Sequence, residues 1–151
     1  MKKSAFIIVT VAIFLCSCGI FKYKIPYDKV VFGKGGGFTG KYDEYFIDSK
    51  GALYKKDPSS AAYTLMKSIT SKQIKDVFKD IKKNNLYEVA FNNPYNYSYY
   101  IELYKGDKSN RIVWGNANNP PPAEVTGVFQ KLLRLTASSD IKNNKENNSN
   151  K

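Results

Sequence analysis

Both cysteines of the chain, Cys16 and Cys18, stand at the end of one apolar run near the N-terminus, and no third thiol exists to pair with either. A domain downstream of them must therefore stand on its apolar core, because no disulfide restrains its unfolded state. The run is Ala5 to Leu15, apolar at every position but Thr10, and it follows the cationic start Lys2-Lys3. It reaches about half of the ~20 residues that a bilayer-spanning helix needs, and no stop-transfer charge cluster follows it. This order predicts a cleaved secretory signal over 1–17 that ends in a lipobox. Leu15 is the aliphatic residue three before the modified position, Ser17 is the small residue directly before it, and Cys18 is the residue that takes lipid.

The formal charge of the chain is +11, and removal of Lys2 and Lys3 with the leader leaves +9. The cations are lysines spread along the whole sequence, with Arg111 and Arg134 as the two arginines. Nucleic-acid surfaces cluster their basic residues and favour the bidentate arginine fork, so nucleic acid is not an expected partner. A lysine-studded surface beside a membrane fits anionic headgroups or acidic glycans instead, at about 1 kcal/mol per lysine close to the surface. The chain has no histidine, and its one cysteine after cleavage is committed to lipid. It therefore lacks the commonest general base, the commonest metal ligands and the best protein nucleophile. No catalytic residue, metal or cofactor is implied. A carboxylate pair drawn from Asp43, Glu44 and Glu102 is the remaining enzymatic option, a hydrolase of the glycosidase type.

Residues 18–29 read as a tether, with Pro26 interrupting any strand. Gly19 rather than Asp follows Cys18, which predicts attachment to the outer membrane on its periplasmic side. A single domain is expected over 30–136, and the polar stretch 137–151 cannot bury enough apolar surface to order itself.

Val30-Val31-Phe32 reads as a first strand that runs into a glycine-rich bend holding Gly33, Gly35, Gly36, Gly37 and Gly40. Gly35 to Lys41 matches the front of a phosphate-binding loop, but Tyr42 occupies the place of the magnesium-holding Ser or Thr. Tyr42 to Asp48 then alternates like a strand where a phosphate loop must open a helix. The glycines are better explained by a bend at positive φ that brings backbone close to backbone.

The hairpin turn Asp48-Ser49-Lys50-Gly51 leads to a strand over Ala52 to Lys56. A second turn at Asp57 to Ser60 leads to a further strand in which Tyr63 and Leu65 share a face. Thr70-Ser71-Lys72-Gln73 is a capping box, and Ile74, Val77, Phe78 and Ile81 fall on one helical stripe opposite a lysine-rich side. Asn92-Asn93-Pro94-Tyr95-Asn96-Tyr97-Ser98 combines amides with aromatic rings, the chemistry that sugar sites use. Asn92, Asn93, Tyr95, Tyr97, Tyr100 and Tyr104 form the candidate binding surface. Tyr99 to Lys105 alternates with Ile101 and Leu103 inward and Tyr100, Glu102 and Tyr104 outward. Arg111 to Trp114 returns beside it, bringing Arg111 to Glu102 or Asp107. After Pro120-Pro121-Pro122, a second amphipathic helix carries Val125, Val128, Phe129, Leu132 and Leu133, weakened at Gly127 by about 1 kcal/mol relative to Ala unless the glycine allows close packing.

Phe32-Gly-x-Gly-Gly-Gly-Phe-Thr-Gly40, the Tyr-rich strand, the Asp-Ser-Lys-Gly turn, Leu53-Tyr54-Lys55, and the hairpin that ends in Trp114-Gly115 carry a resemblance. Over roughly residues 30–135 the chain resembles a family of small Bacteroidetes-type lipoproteins without an established function. It is also similar to a wider bacterial domain of unknown function. The resemblance implies fold and location, and no catalytic residues.

The expected fold is α+β, an antiparallel sheet of about five to six strands with two amphipathic helices on one face. The expected role is that of a lipid-anchored, non-enzymatic envelope protein that binds a glycan or protein partner. A small inhibitor or protection lipoprotein, with residues 35–39 and 92–98 as wedges, is the alternative.

Overall fold

A computed structural model describes residues 27–60 and 62–137. The predicted signal peptide, Cys18, most of the tether and all of the expected C-terminal tail but Ala137, which belongs to the last helix, lie outside the described residues. The elements are β1 (Lys29–Gly36), β2 (Lys41–Asp48), β3 (Ala52–Lys56), β4 (Tyr63–Ser68), α1 (Ser71–Lys83), β5 (Asn92–Asn93), β6 (Tyr97–Lys105), β7 (Lys108–Trp114) and α2 (Ala123–Ala137). They form an α+β domain with one seven-stranded sheet in the order β4-β3-β2-β1-β6-β7-β5. Every neighbouring pair is antiparallel except β5 with β7, which runs parallel for two residues. That short strand raises the count above the expected five to six.

The central strand is β1, paired along its full length with β2 on one side and β6 on the other. Its alternation sorts the two faces of the sheet. Val30 and Phe32 join Ile47, Leu53, Ile101, Leu103 and Ile112 beneath the helices, all of them almost fully buried. α1 starts where its capping box predicts: Gln73 N–H donates to Thr70 Oγ1 at 3.3 Å, and Thr70 N–H donates to Gln73 Oε1 at 3.2 Å. Ile74, Val77, Phe78 and Ile81 are its buried stripe, worth about 1.5–3 kcal/mol each before ordering costs. Val125, Val128, Phe129, Leu132 and Leu135 are the buried stripe of α2, and Leu133 packs at its margin. The two helices are joined at the surface by the Lys131 ammonium donating to the Asp80 carboxylate. Gly127 faces open space, so no close packing offsets its low helix propensity.

The domain begins earlier than the sequence suggests. Tyr27 is buried among Phe78 and Tyr87, with ring centroids 6.0 and 5.9 Å away. Asp28 N–H donates to the Tyr104 carbonyl at 2.9 Å, and its carboxylate accepts from Gly106 N–H. The last residues of the expected tether, Tyr27 to Lys29, therefore belong to the fold. The aromatic ring of Tyr27, a better core filler than a linker residue, is the reason.

The glycine segment also differs from a simple bend. Gly33, Gly35 and Gly36 are strand residues of β1, and the connection to β2 is one short 3-10 turn, Gly37–Thr39, closed by Gly40. Positive φ is confined to Gly36 (107°), Gly37 (66°) and Gly40 (61°) within this segment. Among the described residues, no helix is long and apolar enough to cross a membrane.

Candidate functional site

The face of the sheet away from the helices is polar and rich in tyrosine, and it is organised by the missing side chains of β1. Gly33 pairs with Glu44 on one side and Tyr100 on the other. A Cβ at Gly33 would lie 3.0 Å from the Tyr100 ring and 2.6 Å from the Asp43 carbonyl oxygen. Tyr100 on β6 thus lies across bare backbone and donates its hydroxyl to Glu44 on β2. Tyr63 donates to the same carboxylate from β4, and Lys56 Nζ stands 3.3 Å from it. Above the Tyr100 ring, the Arg111 guanidinium sits 4.1 Å from the centroid and reaches Glu102 at 3.1 Å. Gly35 does the same for Tyr42, whose ring leans edge-on to Tyr100 with centroids 6.1 Å apart.

Burial raises the Glu44 carboxyl pKa, but the hydrogen bonds from Tyr100, Tyr63 and Lys56 outweigh it and hold the group below its ordinary value of 4.5. Burial, then the bond to Glu44, pushes both the Tyr100 and the Tyr63 phenols up. Tyr104 is raised by burial and by its bond to Glu102. These are opposed to acid–base work at neutral pH: the carboxylate is held charged and the phenols are held neutral. A folded pKa below the unfolded one means stability that is complete above pH 4.5 and lost as pH falls through the lower folded value. Glu44→Gln is therefore expected to lower the urea midpoint at pH 7 and to show a shallower further loss on acidification than the wild type. Parallel acid profiles for the two proteins would contradict this.

The candidate binding residues separate into two places. Tyr100, expected outward, does point to the outer face but is only 1% exposed, covered by Arg111 and Tyr42. Tyr104 shares that face, beneath Lys29 Nζ at 4.3 Å from its ring. Neither belongs with the Asn/Tyr loop. A central-strand tyrosine beside glycine fills the gap rather than remaining available.

The loop residues lie at one end of the sheet, where β1 ends and β6 begins. Gly37 N–H donates to the Asn96 carbonyl at 2.5 Å, and a Cβ at Gly36 would meet that oxygen at 2.6 Å. The glycine turn and the Asn/Tyr loop, separate in sequence, are thus clamped side by side. The loop is held internally as well: Tyr95 N–H donates to Ser98 Oγ at 3.0 Å, and that hydroxyl donates to the Tyr95 carbonyl at 2.8 Å. Gly115 passes so close that a Cβ there would meet the Tyr97 carbonyl at 2.5 Å. Asn93 donates to the Asn119 carbonyl at 3.0 Å, which commits its amide to the scaffold, while Asn92 is exposed.

This tip presents Phe38 fully exposed, Tyr95 at 68% and Tyr97 at 44%. Tyr97 is braced edge-on by Tyr99, which stacks on Trp114. Beside them a cleft of about 280 Å³ is lined by Lys34, Thr39, Lys41, Tyr42, Asp43 and Tyr97. The sequence does not single out Lys34 or Lys41, and Phe38 enters only within the 35–39 wedge of the inhibitor alternative. The available signal is an aromatic residue set among glycines, Gly35 to Gly37 before it and Gly40 after it. A larger groove between the helices, about 340 Å³, is bordered by the Asp80–Lys131 pair and holds none of the candidate residues. No family model matches the chain, and no curated protein matches it.

Proposed function

We propose that this protein is a non-enzymatic recognition module, held on the cell envelope by lipid at Cys18, that captures a glycan with its aromatic tip. The observation that carries the reading is the clamp between Gly37 and Asn96, which gathers Phe38, Tyr95 and Tyr97 at one end of a rigid sheet. Exposed rings beside amides supply flat stacking surfaces and hydrogen-bonding groups without a large ordering cost. The leader pattern from Lys2 to Cys18, with Gly19 after it, supports an outer-membrane anchor that faces the periplasm. The resemblance of Phe32 to Gly40 to Bacteroidetes-type lipoproteins supports the same compartment. Tyr27 precedes β1 and the tip follows it, so the N-terminal end of the described domain and the tip lie at opposite ends of the central strand. An enzymatic role draws no support from Glu44, whose depressed pKa is the reverse of what a general acid needs.

The test uses the full-length chain in detergent on an array of bacterial envelope glycans. The expected result is capture of a restricted set, with the triple variant Phe38→Ala/Tyr95→Ala/Tyr97→Ala weaker by roughly tenfold or more. Equal capture by the variant would overturn the reading. Intact mass of the mature N-terminus checks the anchor, which requires acylated Cys18 as first residue. A second reading, a small inhibitor lipoprotein, draws on the fully exposed ring of Phe38 within the 35–39 segment.

A further inference from the structure

We infer that the cleft beside the aromatic tip takes the anionic substituent, carboxylate or phosphate, of an acidic sugar, an inference that rests on the reading of the tip as a glycan-binding end. Small-ligand pockets run from ~300 Å³ upward, so about 280 Å³ fits a single sugar unit rather than an extended chain. Its walls are of two kinds. Tyr97, 44% exposed, supplies a ring for a pyranose to stack on. Lys34 and Lys41 supply charge.

The balance of that charge decides the ligand. Among the described residues, neither Lys34 nor Lys41 has an ion-pair partner. Asp43, the one carboxylate lining the cleft, has Lys55 Nζ at 3.8 Å and is offset from outside. Lys34 and Lys41 thus outnumber the one carboxylate of the cleft, which Lys55 already offsets. Thr39 Oγ1 accepts from Lys41 N–H at 3.4 Å, which leaves the hydroxyl proton to donate to a bound anion. A neutral sugar would use the ring and leave both lysines unanswered. A polyanion such as nucleic acid would need many more phosphate contacts than two lysines offer.

The experiment is carried out with the full-length chain in detergent on matched glycans that differ in one substituent: neutral hexose, the corresponding uronate and the corresponding sugar phosphate. The uronate or the phosphate is expected to bind at least tenfold tighter than the neutral sugar. That preference should shrink with rising salt and disappear in Lys34→Gln/Lys41→Gln, while the melting temperature stays near that of the wild type. The uronate and phosphate arms identify which anion is recognised. Equal binding of acidic and neutral sugars overturns this inference and leaves the glycan reading standing. A preference that survives in the double variant also overturns it. Binding of none of the sugars, and of nothing on the wider array, overturns both.

Discussion

Gly35→Val is expected to destabilise the domain by about 3 kcal/mol or more, a large share of the 5–15 kcal/mol that holds a domain of this size together. The first added carbon would stand 2.2 Å from the Lys41 carbonyl oxygen and 2.5 Å from Tyr42 Cα. Both are backbone atoms of the paired strand, so no rotamer change relieves the clash and β1 must part from β2. The control is Gly37→Ala, where nothing lies within 4 Å and only the φ of 66° opposes a side chain. It should cost about 1 kcal/mol. Thermal unfolding followed by circular dichroism checks both, and a Gly35→Val protein within 1 kcal/mol of the wild type would refute the role given to this glycine.

Phe129→Ala should be comparably costly, about 3–5 kcal/mol. Phe129 is 2% exposed and packs edge-on to Trp114 with centroids 5.0 Å apart and to Tyr99 at 5.7 Å. It is the point where α2 seats on the part of the sheet that carries Tyr97. Because Trp114 is the only tryptophan, its fluorescence reports this packing directly. A lower urea midpoint with a red-shifted native emission is expected. An unchanged emission would mean that the Phe129 ring does not pack on Trp114.

Much of this fold is legible from local chemistry. The start of α1 is fixed by a reciprocal pair of hydrogen bonds between Thr70 and Gln73, both encoded within four residues. The hairpin of β6 and β7 is legible because its inward and outward residues alternate strictly, down to the Arg111–Glu102 pair. β5 is not legible, because two residues carry no period and Asn92–Asn93 is defined only by its neighbour Val113–Trp114. The glycine segment was only half legible. A cluster of glycines signals a turn, and Gly37 to Gly40 is one. Gly33 and Gly35, however, are spaced by two, the period of a strand, and their role depends on tyrosines that arrive from β2 and β6. Tyr100 is legible as outward but not as buried for the same reason: its ring lies over the bare backbone of Gly33, beneath Arg111 and Tyr42. Both halves of the tip, 35–39 and 92–98, are legible as exposed loops, but they lie about sixty residues apart and only the long-range bond from Gly37 to Asn96 shows that they form one surface.

The position of β1 has a mechanical consequence. It is flanked by eight residue pairs on either side, with Tyr27 at one end and the tip at the other. A pull between a membrane attachment and a captured ligand would run along this strand. Bonds between antiparallel strands lie across such a load, so they resist together instead of opening one after another. A load applied between the two ends of β1 would thus meet the sheet along its central strand.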